Sequence, residues 1–220
     1  MTPTEIETRA RRMLNVVGSK FWSSEEIIND YLYAAATEMA LETLCIENRY
    51  TTTSVADQQE YAAPTRMLSI KRITYDGQKL KPMDFQRIDA IDLNSTSVVT
   101  GTPAYYYNWD EAFGLYPAPD TAAKTIKIYT YDEPDTVTSS STLEIPTQFH
   151  HYLVYGVAYM MTLKELGHPH TALYERMWNS PANHNNAIMK VKRSIKLRNR
   201  DNLNIVKREE DLASTYMGAI

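Results

Sequence analysis

The sequence contains little cysteine and little glycine. Of its 220 residues, one is cysteine and seven are glycine. The lone Cys45 cannot form an internal disulfide, so we expect a protein made in a reducing cytoplasm. The glycines match no phosphate-binding loop, no dinucleotide-binding fingerprint and no nucleophile elbow, each of which needs glycine at fixed spacing. The sequence therefore gives no indication of a nucleotide-hydrolysing enzyme or a serine hydrolase.

Long apolar runs are also missing. The longest one, residues 152–163, is interrupted by Gly156 and is well short of the roughly 20 residues that a membrane-spanning helix needs. No basic and apolar segment of the secretory type begins the chain. We therefore expect a buried helix over this run, and no membrane among the partners.

The composition is otherwise that of a folded globular protein, with 43% hydrophobic and 23% charged residues. Its 23 basic and 27 acidic residues give a net charge of −4. The aromatic residues are unevenly divided, because tyrosine supplies 16, phenylalanine four and tryptophan three. Tyrosine buries its ring while its hydroxyl stays in contact with water, so this excess suits surfaces that a partner later covers.

Helical periodicity is found at both ends of the chain. Thr4 with Glu7, and Ser23 with Glu26, have the spacing of capping boxes that begin helices. These signals predict helices over residues 4–17 and from Ser23 to about Tyr50. Apolar spacing and the positions of proline predict three more, over residues 146–166, 171–179 and 181–198.

The middle of the chain is rich in Thr, Tyr and Val with frequent Pro, which favours strands and turns. Asp76-Gly77 predicts a type I′ hairpin, because both central positions of that turn need a positive φ. A short helix is predicted at residues 83–91. The predicted strands cover residues 59–63, 69–75, 97–100, 104–109, 112–116 and 125–131.

These elements predict the α+β class, with a helical bundle core formed by both chain ends and a small antiparallel β domain inserted between them. A C-terminal arm follows the last helix. The predicted divisions are residues 1–50 for the first part of the helical core, 51–142 for the β domain, 143–198 for the second part of the core and 199–220 for the arm.

Candidate catalytic groups are dispersed. On one continuous helix His150 and His168 would lie roughly 26 Å apart, too far to share a metal within one subunit. A site shared between subunits stays open. The pairs Asp89 with Asp92 and Asp110 with Glu111 could serve a glycosidase or a metal-dependent nuclease, but such residues are more often a solvated surface. We expect no catalytic residue, no cofactor and no metal.

Charge is strongly segregated along the chain. Residues 188–208 contain eight basic residues and one acidic residue, a net charge of +7 that leaves −11 for the remainder. On a helix, Ile188, Val191 and Ile195 would form an apolar stripe, with a basic row beside it. This row is open to three interpretations: a solvated face, contact with nucleic acid phosphates, or docking onto an acidic protein.

After Arg200, residues 201–206 mix polar and apolar types without a helical period, which predicts that the chain forms an arm that orders on a partner. Its apolar side chains are candidate anchors. Together with the basic row they give the predicted partner-docking residues: Lys192, Lys196, Arg198, Arg200, Leu203, Ile205, Val206 and Tyr216.

One stretch resembles a known family. Gly101-Thr102-Pro103 with Tyr105-Tyr106-Tyr107, followed by Leu115-Tyr116-Pro117-Ala118-Pro119-Asp120, resembles the "GxPxxY … LYPxPD" pattern of tailed-bacteriophage head-to-tail adaptor (neck, connector) proteins. Glu60 to Pro64 before this stretch and Ile145-Pro146 after it stand in the expected order. The resemblance covers roughly residues 20–185.

The resemblance implies a non-enzymatic virion protein at the neck, assembled in the host cytoplasm. It implies a ring, usually of twelve copies, beneath the portal protein, with tail or nozzle proteins attached and genomic DNA passing through the channel. The C-terminal arm would reach the portal. Neighbouring subunits or the tail would cover Tyr105, Tyr106, Tyr107, Trp109 and Tyr116. The alternative is a nucleic-acid-binding module that uses the basic C-terminal helix.

Overall fold

The computed structural model describes residues 1–17, 21–92, 98–165 and 168–198. The pattern of contacts divides the chain into two units. We call the described parts of Met1–Cys45 and Pro134–Ile220 the helical unit, and Ile46–Glu133 the β unit. Sequence analysis places the divisions at residues 51 and 142 instead.

The first helix, α1 (Pro3–Met13), begins one residue before its predicted start. Thr2 is the N-cap, and its hydroxyl accepts from the Glu5 amide at 3.2 Å while Glu5 accepts from the Thr2 amide at 3.0 Å. The predicted Thr4–Glu7 capping box is therefore wrong, because Pro3 suits the first helical position and leaves Thr2 as the cap. The helix also ends at Met13, before Val17, and Gly18 lies outside the described residues.

The next helix is continuous in three segments: α2 (Ser24–Glu26), a π-helical stretch (Ile27–Leu32) and α3 (Tyr33–Thr43). Its predicted N-cap is confirmed, because the Ser23 hydroxyl accepts from the Glu26 amide at 3.1 Å. The predicted extension to Tyr50 is wrong. Leu44 takes a left-handed conformation with φ of 52°, and the chain then enters a strand.

The later helices follow Pro146. A 3₁₀ turn (Thr147–Phe149) leads into α5 (His150–Lys164), and α6 (Thr171–Trp178) comes next. Helix α5 contacts α1, α3, α6 and the π-helical stretch, which explains why it is apolar nearly all round. The last helix among the described residues, α7, covers residues 187–198 and does not begin at Pro181 as predicted. Asn186 precedes it, and its side-chain oxygen accepts from the Met189 amide at 2.8 Å, which is a better N-cap.

The described residues of the β unit form two four-stranded sheets and one short strand pair. The first sheet has the order β1-β10-β3-β4, from β1 (Glu47–Thr53), β10 (Thr125–Asp132), β3 (Met67–Tyr75) and β4 (Gln78–Lys79). The second has the order β2-β8-β7-β5, from β2 (Glu60–Ala62), β8 (Ala112–Tyr116), β7 (Tyr105–Trp109) and β5 (Lys81–Pro82). The pair joins β6 (Thr100–Gly101) to β9 (Ala118–Pro119), and α4 (Phe85–Asp92) lies between β5 and β6 in the sequence.

The mixed α+β class is confirmed. The long strand pairs are antiparallel as predicted, but β5 with β7 and β6 with β9 are short parallel pairs. The Asp76-Gly77 turn is confirmed, since φ is 46° and 84° at the two residues and Thr74 pairs with Lys79. The β unit has its own apolar core, formed by Tyr61, Ile73, Tyr75, Leu80, Tyr106, Phe113, Leu115, Ile126 and Ile128. No helix among the described residues is apolar over a length that could cross a membrane.

Candidate interaction surfaces

Strand β7 carries four of the five aromatic residues that we predict to meet neighbouring subunits or the tail. Tyr106 and Tyr107 are buried in the β unit, with 8% and 3% of their surface exposed. Tyr105 of β7 and Tyr116 of β8 are half-buried, and they form a cross-strand pair. Trp109 is 54% exposed. The set therefore consists of two core residues, two half-buried rings and one largely exposed indole.

Gly114 of β8 holds Tyr107 in place. The two residues pair across the strands, and a Cβ atom on Gly114 would lie 1.9 Å from Tyr107 Cζ. The Tyr107 ring therefore lies directly over the glycine, and its hydroxyl donates to Glu60 Oε1 on the next strand at 3.1 Å. This tyrosine spans three strands, and these contacts fix the position of its ring.

An aromatic ridge is built on that fixed ring. Phe85 of α4 lies with its centroid 5.6 Å from the Tyr107 ring and stacks on Trp109 at 4.2 Å with an interplanar angle of 22°. We call Phe85, Tyr107 and Trp109 the aromatic ridge. It borders a groove of about 540 Å³ that also includes Met83 and Asp84. An exposed indole that is locked by stacking suits a contact with another protein, because little conformational freedom is lost when it is covered.

The tip of the β7–β8 hairpin stands beside the ridge. Trp109 pairs with Ala112, so the turn consists of Asp110 and Glu111. Both side chains are exposed, and Asp110 has a φ of 51°. Asp84 is exposed on the groove as well. The apolar ridge is therefore bordered by carboxylates.

The outer face of the first sheet has the opposite charge. Arg72 lies over the Tyr129 ring, with its Cζ 4.0 Å from the ring centroid. The pKa of the Tyr129 hydroxyl is lowered, chiefly by its hydrogen bond with Arg72 and then by the nearby charges of Arg72, Lys127 and Arg49. Sequence analysis missed this face. The signal was available, because Lys127 and Tyr129 alternate with buried isoleucines along β10.

The C-terminal helix presents the predicted basic row only in part. Ile188 and Val191 are buried, with 4% and 0% exposure, which confirms the apolar side of the helix. Lys192 forms a salt bridge with Glu42 of α3, with Nζ 2.6 Å from Oε2. Lys196 and Arg198 are exposed. The other predicted docking residues lie outside the described residues: Arg200, Leu203, Ile205, Val206 and Tyr216.

The chain matches a family model described as SU10 adaptor protein, over residues 1–196. It belongs to the SU10 adaptor protein family. This is a phage head–tail adaptor family, so the resemblance seen in the sequence is confirmed and extends over both units. A search of curated proteins returned no match. Membership makes this adaptor a structural component of a phage virion that interacts with head and tail components.

Three of the five histidines have structural surroundings. His150 is buried, its Nε2 lies 2.6 Å from the Ile145 carbonyl oxygen and its Nδ1 lies 3.0 Å from the Met1 backbone. His168 and His170 lie close together in a turn, with ring centroids 5.6 Å apart. Over the described part of the chain, no three His, Cys, Asp or Glu side chains converge on a point where they could hold a metal ion.

Proposed function

We propose that this adaptor forms a ring of twelve copies under the portal and joins the DNA-filled head to the tail without catalysing a reaction. The family match carries this proposal, because it covers the helical unit and the β unit alike. In this role the helical unit is a bundle core from both chain ends, and the β unit is an insertion that offers its surface to other proteins.

The docking surface for the portal is the C-terminal end of the chain. Lys196 and Arg198 are exposed on α7, and the basic run continues beyond them to Arg208. This segment is positive while the remainder of the chain is strongly acidic, so it can orient the subunit in the field of an acidic partner. The apolar residues of the arm, residues 199–220, then anchor it.

The contact surface for neighbouring subunits or for tail and nozzle proteins lies in the β unit. Trp109 is its central residue, supported by Phe85 and Tyr107. Tyr105 and Tyr116 are half-buried and offer further ring surface. Tyr106 supports this surface from within the core.

The alternative is a nucleic-acid-binding module that uses α7. The exposed Lys196 and Arg198 favour it. Two observations disfavour it: Lys192 already pairs with Glu42, and the chain as a whole has a charge of −4. A protein that lets DNA pass through a channel should not bind it tightly. In this proposal genomic DNA therefore passes through the ring without being bound tightly.

The test is assembly with the portal protein of the same phage. Negative-stain images of purified adaptor mixed with purified portal should show a ring of twelve adaptor subunits on one end of the portal. Deletion of residues 199–220, or Lys196→Glu with Arg198→Glu, should abolish binding. Arg9→Glu on the exposed side of α1 is the matched control and should bind normally. Intact adaptor that leaves the portal bare would refute the adaptor role, and portal binding by the deletion variant would refute the role of the arm.

DNA binding by the isolated protein separates the two functions. The proposal predicts weak binding to duplex DNA at physiological salt. A submicromolar affinity that falls steeply as salt is raised, and that is lost in the Lys196→Glu, Arg198→Glu variant, would favour the nucleic-acid-binding module.

A further inference from the structure

The charge of the β unit is divided between two surfaces. We define the basic face as the outer face of the first sheet, formed by Glu47, Arg49, Lys71, Arg72, Lys79, Lys127, Tyr129 and Tyr131. Buried Ile126, Ile128 and Thr130 alternate with Lys127, Tyr129 and Tyr131 along β10, so the latter three face away from the core. Residues paired across neighbouring strands point to the same side of a sheet. Arg49 and Arg72 both pair with Tyr129, and this row is the centre of the face.

The rest of the β unit is acidic. Ile46–Glu133 contains nine basic and 12 acidic residues, a net charge of −3. The basic face holds five of the cations and one carboxylate, a net charge of +4 that leaves −7 elsewhere in the unit. Part of this negative charge borders the aromatic ridge, at Asp84, Asp110 and Glu111, all of which are exposed. One unit therefore carries two surfaces that are complementary in charge.

We infer that the β units of adjacent copies dock head to tail, the basic face of one copy covering the aromatic ridge and the Asp110-Glu111 turn of the next. The inference rests on the proposed ring and specifies which surfaces close it. A contact between two different surfaces of the same chain is heterologous, and such contacts generate rings when the rotation closes.

The side chains of the basic face are placed to receive carboxylates. The Tyr129 ring supports the Arg72 guanidinium from one side, which reduces the freedom that Arg72 loses when it binds. Lys71 differs, because its Nζ lies 2.7 Å from Glu47 Oε2 and 5.4 Å from the centre of the Tyr131 ring. Arg72 and Arg49 can form paired hydrogen bonds with carboxylates, and the tyrosine rings offer apolar area against Trp109.

Nucleic acid is the weaker candidate for the same face. A sheet that combines cations with aromatic rings can bind single strands by stacking and by contacts with phosphate. Here, however, Glu47 lies within the face and already pairs with Lys71, and the unit as a whole is negative. Carboxylates of a second copy are discrete charges that Arg49, Arg72 and Lys127 can match one by one. DNA binding is therefore an outcome of the test.

The test is a charge exchange in the full-length adaptor, measured as ring formation on purified portal. Arg72→Glu with Lys127→Glu should reduce the number of complete rings at least tenfold, and so should Asp110→Lys with Glu111→Lys. The chain that carries all four substitutions should form rings again. In that ring an acidic sheet face meets a basic turn at every contact, so opposite charges are paired as in the wild type. Arg9→Glu, on the exposed side of α1 in the helical unit, is the control and should leave assembly unchanged.

The outcomes are distinct. Wild-type protein that fails to assemble on the portal refutes the proposed function. Wild-type rings together with normal rings of both reversed variants refute this inference alone, as does the failure of the fourfold variant to recover while its thermal unfolding is normal. If charge reversal prevents folding, Arg72→Gln with Lys127→Gln takes its place, and normal ring formation by that variant overturns the inference. Tight binding of wild type to single-stranded or duplex DNA that Arg72→Glu abolishes would assign the face to nucleic acid instead.

Discussion

Gly114→Ala tests the arrangement that supports the aromatic ridge. The added methyl group would lie 1.9 Å from Tyr107 Cζ and 2.1 Å from its Cε1, far inside van der Waals contact. Tyr107 has 3% exposure and its hydroxyl is bonded to Glu60, so the ring cannot give way without leaving its site. The substitution should therefore expel the ring or push β8 away from it.

The size of the effect follows from these contacts. Forcing an extra methyl group into a packed site costs about 1–3 kcal/mol, and exposing a large buried side chain costs about 1.5–3 kcal/mol. Moving the ring out relieves the overlap, so the cost of overpacking and the cost of exposing the ring do not add in full. We therefore expect a loss of about 3 kcal/mol in the free energy of unfolding. For a chain of this length that corresponds to a melting temperature about 6–12 °C lower.

Denaturant unfolding of four variants provides the assay. Gly101→Ala is the matched control, because its nearest neighbours would be Pro117 atoms at 3.8 Å, and it should change stability by less than about 0.5 kcal/mol. Tyr107→Leu removes the atoms that overlap, so Gly114→Ala should be much less costly in that background. The double-mutant cycle should show a coupling of about 2 kcal/mol. Equal and small effects at Gly114 and Gly101, or strictly additive effects in the cycle, would refute the reasoning.

Two variants and one chemical modification probe the helical unit. Gly156→Ala would place a Cβ 3.0 Å from the Trp178 ring and should lower stability by about 1–3 kcal/mol, with a shift in tryptophan fluorescence. Glu26 has a pKa below its ordinary value, first because Lys164 donates a hydrogen bond to it. A group whose pKa is lowered by folding adds stability above its unfolded pKa, and this gain is lost as pH falls through the folded pKa. Glu26→Gln should therefore cost at most about 1 kcal/mol at pH 7, and the cost should shrink steadily as pH falls below the ordinary carboxyl pKa. Burial raises the pKa of the Cys45 thiol, so iodoacetamide should modify it far more slowly in native than in unfolded protein.

Local signals predicted much of the fold. Ser23 is the N-cap that its sequence context indicates, and Asp76-Gly77 forms its turn, because both features depend on a few consecutive residues. Helices α4 and α6 lie within one or two residues of their predicted bounds. The strands from residue 104 to 131 are also close to the prediction, since β-branched and aromatic residues are bounded there by proline, Asp and Gly.

The errors occur where distant residues decide the local structure. The sequence predicts helix up to Tyr50, but the residues of β1 pair with β10, which lies about 80 positions later in the chain. Such pairing overrides a weak helical propensity, and no local pattern reveals it. The predicted start of α7 is wrong for another reason. Pro181 suits a helix start, but the helix begins after Asn186, because the side-chain oxygen of Asn186 accepts a hydrogen bond from an amide of the first turn.

The aromatic ridge shows why the candidate site could be located but not resolved from sequence. Alternation along β7 predicts that Tyr105, Tyr107 and Trp109 share one face, and pairing with Tyr116, Gly114 and Ala112 of β8 agrees with this. Alternation does not predict that Tyr107 is buried while Trp109, on the same face, is exposed. The difference arises on the paired strand β8, where Gly114 leaves space for the Tyr107 ring to lie over it, while Trp109 pairs with Ala112. Gly114 therefore determines which aromatic residue is core and which is available to a partner, and replacing it should disturb the exposed indole as well as the stability of the unit.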